Sequence, residues 1–389
     1  MSQVYVSDNI KYIGVNDYEL DIFEGQYPLK HGVSYNSYII LDEKIAVMDT
    51  ADKRVSKQWM ENLKEVLQDK TPEYLVVSHM EPDHAANIAA FMEEFPESKI
   101  VGNDKTFVMM EQFFHQDFAD RKVVVRDGDQ LSLGKHCLNF VFAPMVHWPE
   151  VMLAYESTEK ILFSADAFGT FGTLDTKEKW SIEARRYYYN IVGKYGVQTI
   201  RVLEKASGLD IQTICPLHGP ILKDNLDYYI RKYKMWGNYE ADKEGVLIAY
   251  ASVYGNTKQA AEKLAEYVRA CGEKRVVLHD LTRTPLCVAL SDAFRYDHMI
   301  LAGVTYDGGL FPCMEQFLYR LKEKNYQKRT VGLVENGTWA PMAAKLMRDR
   351  LSAMKEITFV EPVVTIRSNP TEENYETMKE LAKTITTRK

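Results

Sequence analysis

Tyr74-Leu75-Val76-Val77-Ser78-His79-Met80-Glu81-Pro82-Asp83-His84 is the stretch on which the reading of this chain turns. Its first half is apolar and β-branched, the composition of a buried strand. Its second half gathers two histidines and two carboxylates within six positions, where that strand should end. Pro82 cannot extend a ladder, so these residues fall on a loop. Alternate side chains there can point two at one metal ion and two at another. Three more residues of the same kind close or follow apolar runs: His147 in segment 143–148, Asp166 in segment 162–166 and His218 in segment 215–220. Together His79, Glu81, Asp83, His84, His147, Asp166 and His218 offer enough imidazole and carboxylate to hold two metal ions side by side. Any one alone reads as an ordinary loop residue, as His115, His136, His279 and His298 do. A compact H-x-E-x-D-H match followed by three further ligand types is much harder to reach by accident.

The chain has 389 residues, more than one core usually organises, so its length suggests two or three domains. A formal charge of −7 with interspersed signs leaves no basic stripe and argues against a nucleic-acid partner. Cys137, Cys215, Cys271, Cys287 and Cys313 are scattered, odd in number and without C-x-x-C spacing, which implies neither a disulfide framework nor an iron–sulfur site. The N-terminus lacks a charged segment followed by an apolar one. No apolar run approaches the ~20 residues of a membrane span, so a cytoplasmic protein is expected. The texture changes near residue 240. Segment 236–245 is polar and bounded by glycines, and segment 246–250 begins a new buried strand. This divides the chain into domains over 1–245 and 246–389. The first alternates short strands and turns with helical segments such as 55–67, as an αββα sandwich would. The second alternates strand and helix regularly, which calls for a doubly wound parallel sheet.

The first turn of that second domain is Ser252-Val253-Tyr254-Gly255-Asn256-Thr257, opening a helix over 257–270 with apolar Ala261, Leu264, Ala265 and Val268. A hydroxyl-rich loop at a helix start offers free backbone N–H groups and the positive end of the helix dipole, which together bind phosphate. No lysine follows in the pattern of nucleoside-triphosphate loops, and G-x-G-x-x-G for a dinucleotide is absent. The loop resembles instead the phosphate loop of flavodoxins, which bind FMN. Two later strands end in Thr305-Tyr306-Asp307-Gly308-Gly309 and Asn336-Gly337-Thr338-Trp339, at the carboxyl ends that flank a cofactor in such a sheet. Trp339, Tyr254 and Tyr306 are candidates to lie against the ring.

The seven-residue metal set resembles that of the metallo-β-lactamase fold, whose usual signature carries histidine where this chain has Glu81 and which binds zinc. A carboxylate there hardens the ligand set and favours iron. With the flavodoxin-like half, the chain resembles the flavodiiron proteins over nearly its whole length, without an added C-terminal module. The resemblance implies that His79, Glu81 and His147 bind one iron, that Asp83, His84 and His218 bind the other, and that Asp166 bridges them. It further implies reduction of dioxygen to water or nitric oxide to nitrous oxide, with electrons reaching the irons through FMN. The donor would be rubredoxin or a reduced deazaflavin. Two irons and one flavin together hold the four electrons that dioxygen requires. A head-to-tail homodimer is implied, with a dimer of dimers as a larger assembly of the same kind. His31, Trp148 and a tyrosine of the run 187–189, taken as Tyr188, are the candidates to line the gas pocket. A dinuclear zinc hydrolase with an accessory flavodoxin domain is the alternative, since it would use nearly the same ligand geometry.

Overall fold

The computed structural model describes residues 5–387, so the N-terminal stretch read above for a leader begins outside the described residues. The chain forms two compact units. The first runs to Tyr188 and resumes over Tyr195–Lys234, while the second takes Tyr189–Lys194 and everything from Met235 onward.

In the first unit, strands Ile10–Tyr12, Tyr38–Ile40, Ala46–Met48, Tyr74–Val76, Lys99–Gly102 and Lys122–Val124 lie in that spatial order in one sheet. Strands Gln130–Ser132, Cys137–Phe142, Met152–Glu156, Ile161–Phe163 and Thr213–Cys215 form a second. Val76 and Val101 from the one and Phe140, Ala154 and Phe163 from the other share a single core. Alternation along each strand sends these side chains inward, and a fully buried phenylalanine contributes ~1.5–3 kcal/mol by leaving water. Helix Ser56–Leu67 packs through Trp59, Leu63 and Leu67, spaced by four residues as one stripe requires. Asn103 and Thr106 form a reciprocal cap that starts helix Asp104–Phe114. This is the expected sandwich.

The second unit is the expected doubly wound sheet. Its strands stand in the order Val276–Asp280, Lys243–Tyr250, Tyr296–Tyr306, Arg329–Asn336, with Ile357–Phe359 and Val364–Ile366 both pairing Arg329–Asn336, all parallel, and the short Gly309–Leu310 pairs antiparallel with Tyr296–Tyr306. Numbered within the unit this is 2-1-3-4-5, the flavodoxin order, whose switch point falls between the first and third strands.

The boundary at residue 245 is corrected. Lys243–Gly245 already belongs to the first strand, which carries a register shift there. Trp236 lies 6.3 Å from the ring of Tyr189, and the carbonyl of Tyr239 accepts a hydrogen bond from Arg329 at 2.8 Å. The excursion Tyr189–Lys194 is anchored in the second unit by several such contacts. Tyr189 stacks on Phe294 at 4.0 Å, Asn190 donates to the Cys287 carbonyl at 3.1 Å, and Tyr239 donates to the Gly193 carbonyl at 2.9 Å.

Candidate functional site

All seven metal-type residues converge in the first unit. The strand Tyr74–Val76 ends as expected, but the segment after it is not wholly irregular: Pro82–Ala85 forms one helical turn. Proline's fixed φ suits the first helical position, and the turn sets Asp83 and His84 side by side on the rigid frame. Ligand atoms of His79, Glu81, His147 and Asp166 lie within 4.8 Å of one another, as do those of Asp83, His84 and His218. His79 Nε2 and His147 Nε2 each stand 3.1 Å from Glu81 Oε2, and His147 Nε2 is also 3.1 Å from Asp166 Oδ2. His84 Nε2 faces His218 Nε2 at 3.0 Å, and Asp83 Oδ2 is 3.2 Å from His218 Nε2. Asp166 spans the two groups. Its Oδ2 is 3.5 Å from His79, while its Oδ1 is 3.6 Å from His84 and 3.8 Å from His218.

The tautomers suit a metal. His79 donates from Nδ1 to Glu150 at 2.7 Å, and His218 donates from Nδ1 to the Ser34 carbonyl at 2.8 Å. Both rings therefore turn Nε2 inward, the arrangement that orients ligating histidines. Charge points the same way. Burial works against the charged form of His147 and His218, yet the Asp166 and Glu81 contacts lift His147 to about 9, and Asp83 and Asp166 lift His218 to about 9. Burial likewise opposes ionised Glu81 and Asp166, but His147 and the other imidazoles hold both carboxyls far below their ordinary range. The carboxylates thus draw protons onto His79, His147 and His218, while burial pushes His84 down to about 4, and a cation balances the carboxylates directly. Asp83 Oδ1 and Asp166 Oδ1 are buried with no hydrogen-bond donor. Such oxygens are costly unless a cation takes them up. The donor set, four imidazoles and three carboxylates without sulfur, fits a pair of iron ions.

Glu150 was not foreseen. It is fully buried, accepts the His79 Nδ1–H and also the Met80 N–H at 2.8 Å, and so fixes both the ring and its loop. It sits two residues beyond Trp148, and an acidic residue so near a ligand histidine is the signal that could have marked it. Replacing it, Glu150→Gln, is expected to weaken metal retention by roughly 10–100-fold, the usual effect of losing an outer carboxylate partner. Iron remaining after timed exposure to a chelator reads this out. Wild-type retention in a variant of unchanged melting temperature would exclude the role.

The three pocket candidates fare differently. Trp148 packs edge-on against His79 at 5.1 Å. His31 is corrected: it is exposed and faces Glu178 at 3.5 Å, because strand Val33–Tyr35 just after it brings the Ser34 carbonyl, not His31, to the cluster. Tyr188 is also corrected. Its ring lies 5.1 Å from Tyr233, whereas the neighbouring Tyr187 reaches 5.6 Å from His218. Burial, then the nearby Asp166 and Glu81, push the Tyr187 hydroxyl well up, so it stays protonated.

In the second unit the three predicted loops line one cleft of about 450 Å³, within the ~300–1,000 Å³ range of cofactor sites. Helix Asn256–Ala270 opens there with Gly255 at the N-cap, φ +97°, and no side chain satisfying its first-turn N–H groups. Those donors remain for a phosphate. Tyr254 and Trp339 stand 94 % and 88 % exposed at the rim, and Tyr306 45 %, large apolar faces of the kind a flat ring would cover. Ser252, Val253, Asn256, Thr257, Thr305, Asp307, Gly308, Asn336, Gly337 and Thr338 all line the cleft, while Gly309 pairs in the short strand Gly309–Leu310 instead. Ser368 was missed. Its carbonyl accepts from Asn256 and Asn336, each at 2.9 Å, tying two loops together. The turn-prone Ser368-Asn369-Pro370 was its signal.

Residues 33–219 match the model of the ODP family beta lactamase, and 247–366 match a flavodoxin domain. The nitric oxide reductase of Moorella thermoacetica is 30 % identical over 403 residues, covering 100 % of this chain and 99 % of the relative. The chain belongs to the flavodiiron protein family. The rubredoxin-oxygen oxidoreductase of Megalodesulfovibrio gigas is 29 % identical over 401 residues, covering 99 % and 98 %. The solved structure of rubredoxin oxygen:oxidoreductase from Desulfovibrio gigas superposes with a TM-score of 0.91 at 27 % identity, over 99 % of this chain and 98 % of that one. A flavodiiron protein structure from Giardia intestinalis, at 24 % identity and TM-score 0.89 over 98 % and 95 %, shares the fold.

Proposed function

We propose that this flavodiiron protein is an oxidoreductase that reduces dioxygen to water, nitric oxide to nitrous oxide, or both, with FMN and two non-haem irons as cofactors. The observation that carries the reading is one chain holding both the cluster spanned by Asp166 and the flavodoxin-type cleft. His79, Glu81 and His147 would hold one iron, Asp83, His84 and His218 the other, with Asp166 between them. FMN would lie in the cleft, its phosphate against residues 252–257 and its ring near Trp339, Tyr254 or Tyr306. Iron pair and flavin supply the electron store that four-electron dioxygen reduction, or two-electron coupling of two nitric oxide molecules, requires.

The chain's own residues do the rest. Glu150 and the Ser34 carbonyl hold His79 and His218 in one tautomer, so neither ring reorients during turnover. Trp148 walls the His79 side. Tyr187, kept protonated, is placed to act as a neutral hydrogen-bond donor beside His218. An external donor fills the flavin: a rubredoxin, as the name of the Megalodesulfovibrio relative suggests, or a reduced deazaflavin. A head-to-tail homodimer, or a dimer of dimers, is part of the proposal. So is a cytoplasmic location, which five free cysteines suit. No helix among the described residues is long and apolar enough to cross a membrane.

Metal analysis and a visible spectrum of the purified protein, with gas-consumption assays, test the reading. Two irons and one FMN per chain with turnover of either gas are expected. Zinc without flavin would turn the assignment to the hydrolase.

A further inference from the structure

We infer that a narrow apolar passage in the first unit admits and holds the gas on its way to the metal cluster, an inference that rests on the gas-reductase reading above. The passage is a cavity of about 90 Å³. Its deep end is formed by Val146, Leu162, Ala167 and Ile214, all buried. Val146 immediately precedes His147 and Ala167 immediately follows Asp166, so this end lies on the back of two ligand-bearing segments. Its outer end runs between the half-buried Leu203, Ala206, Ile211 and Ile230 to the exposed Ser207. Apolar side chains therefore line the cavity from the protein surface to the backbone of the segments that carry His147 and Asp166.

Chemistry selects the occupant. Of the three polar side chains at the wall, two spend their hydroxyls on local carbonyls: Thr199 Oγ1 donates to Tyr195 at 3.1 Å and Ser207 Oγ donates to Glu204 at 2.6 Å, which leaves the Tyr233 hydroxyl as the remaining side-chain polar group. A resident water needs two to four polar partners, more than one hydroxyl supplies. The volume exceeds the ~10–15 Å³ that one small probe requires and falls well short of the ~300 Å³ at which organic-ligand pockets begin. What fits is a small molecule that gains by leaving water: a diatomic gas, dioxygen or nitric oxide. The cluster face, in contrast, is crowded with charge and suited to water and protons. Gas and protons would thus arrive by separate routes.

Xenon occupies dry apolar cavities and reports on them without turnover. Crystals of the holoprotein under xenon pressure are expected to show the gas between Val146, Val202 and Ile214. Val202→Phe, which fills the throat from helix Gly196–Ala206, should abolish that site. It should also lower kcat/KM for the gas about fivefold at unchanged kcat and iron content, since access enters KM and not the chemistry. Ala206→Phe at the half-buried outer end serves should Val202→Phe fail to fold. Dioxygen and nitric oxide assayed separately tell which gas uses the route. No xenon in the wild-type protein, or unchanged kcat/KM for both gases in a blocked variant, overturns the inference. A protein that binds xenon here yet reduces neither gas would instead overturn the reductase reading and leave the apolar gas site standing.

Discussion

Asp166→Ala is expected to strip both metal positions at once and reduce turnover to background, while FMN stays bound at one per chain. The residue is 1 % exposed, and it is the carboxylate that stands between both groups, with Oδ2 toward His79 and His147 and Oδ1 toward His84 and His218. Truncating it leaves each half with imidazoles and a single carboxylate. It also removes the anion that offsets the charge of two like-charged cations brought close together. Losing an outer carboxylate partner costs 10–100-fold in metal affinity, so losing this shared one should cost on the order of 100-fold or more at both positions. Metal content after gel filtration, beside the flavin absorbance of the same sample, gives the answer. Two irons retained per chain would show that Asp166 bridges nothing. Loss of a single iron would restrict it to one half.

A mixed dimer built from two differently disabled chains is expected to recover roughly half of the wild-type turnover per dimer, because one of two equivalent catalytic pairs is complete. One chain carries His79→Ala with Asp83→Ala and keeps its flavin. The other carries Ser252→Asp with Gly255→Asp, setting two carboxylates where the phosphate would sit, and keeps its irons. Neither position is in the core, but Gly255 holds φ +97°, where a side chain strains the turn, so a parent with Ser252→Asp alone is built beside the double variant and both are checked for folding and dimerisation. Neither parent homodimer should turn over. Restored activity in dimers purified through two different tags means that the flavin of one chain serves the irons of the other. Inactive mixed dimers, with both parents folded and dimeric, would place electron transfer within a chain and refute the head-to-tail arrangement.

The metal ligands were legible because their chemistry is compact. His79, Glu81, Asp83 and His84 sit within six positions, and the other three each follow an apolar strand, ending at Phe142, Phe163 or Cys215, so a strand-end pattern found them without knowledge of the packing. The glycine- and hydroxyl-rich cleft loops were legible for the same reason: each follows a strand whose period is unmistakable. The features that escaped depend on contacts between distant positions. Glu150 meets His79 across 71 residues, and Ser34 meets His218 across 184. Tyr187, Tyr188 and Tyr189 differ by about 100° each around a helix, and the chain widens there into a π-helical turn over Tyr188–Val192. No pattern in the sequence sets that phase. His31 was misplaced in the gas pocket because its position just before strand Val33–Tyr35 does not set where its side chain goes, and that side chain ends at Glu178 on the surface. The domain boundary was misplaced because segment 236–245 looks like a polar linker, while its own Trp236 and Tyr239 already belong to the second unit.

The excursion Tyr189–Lys194 has a consequence for how the chain is made. These six residues leave the ribosome long before Cys287, Phe294, Lys324 and Asn325, to which they bond or stack in the second unit. Strands of the first unit are complete by Cys215, so that unit can close while the excursion still waits for its partners. The excursion cannot be fully anchored until about residue 325 has emerged, before the last strand of the second unit, Val364–Ile366, completes its sheet. Synthesis therefore ties the two halves together in time: the later half matures only around a piece of chain delivered with the earlier one.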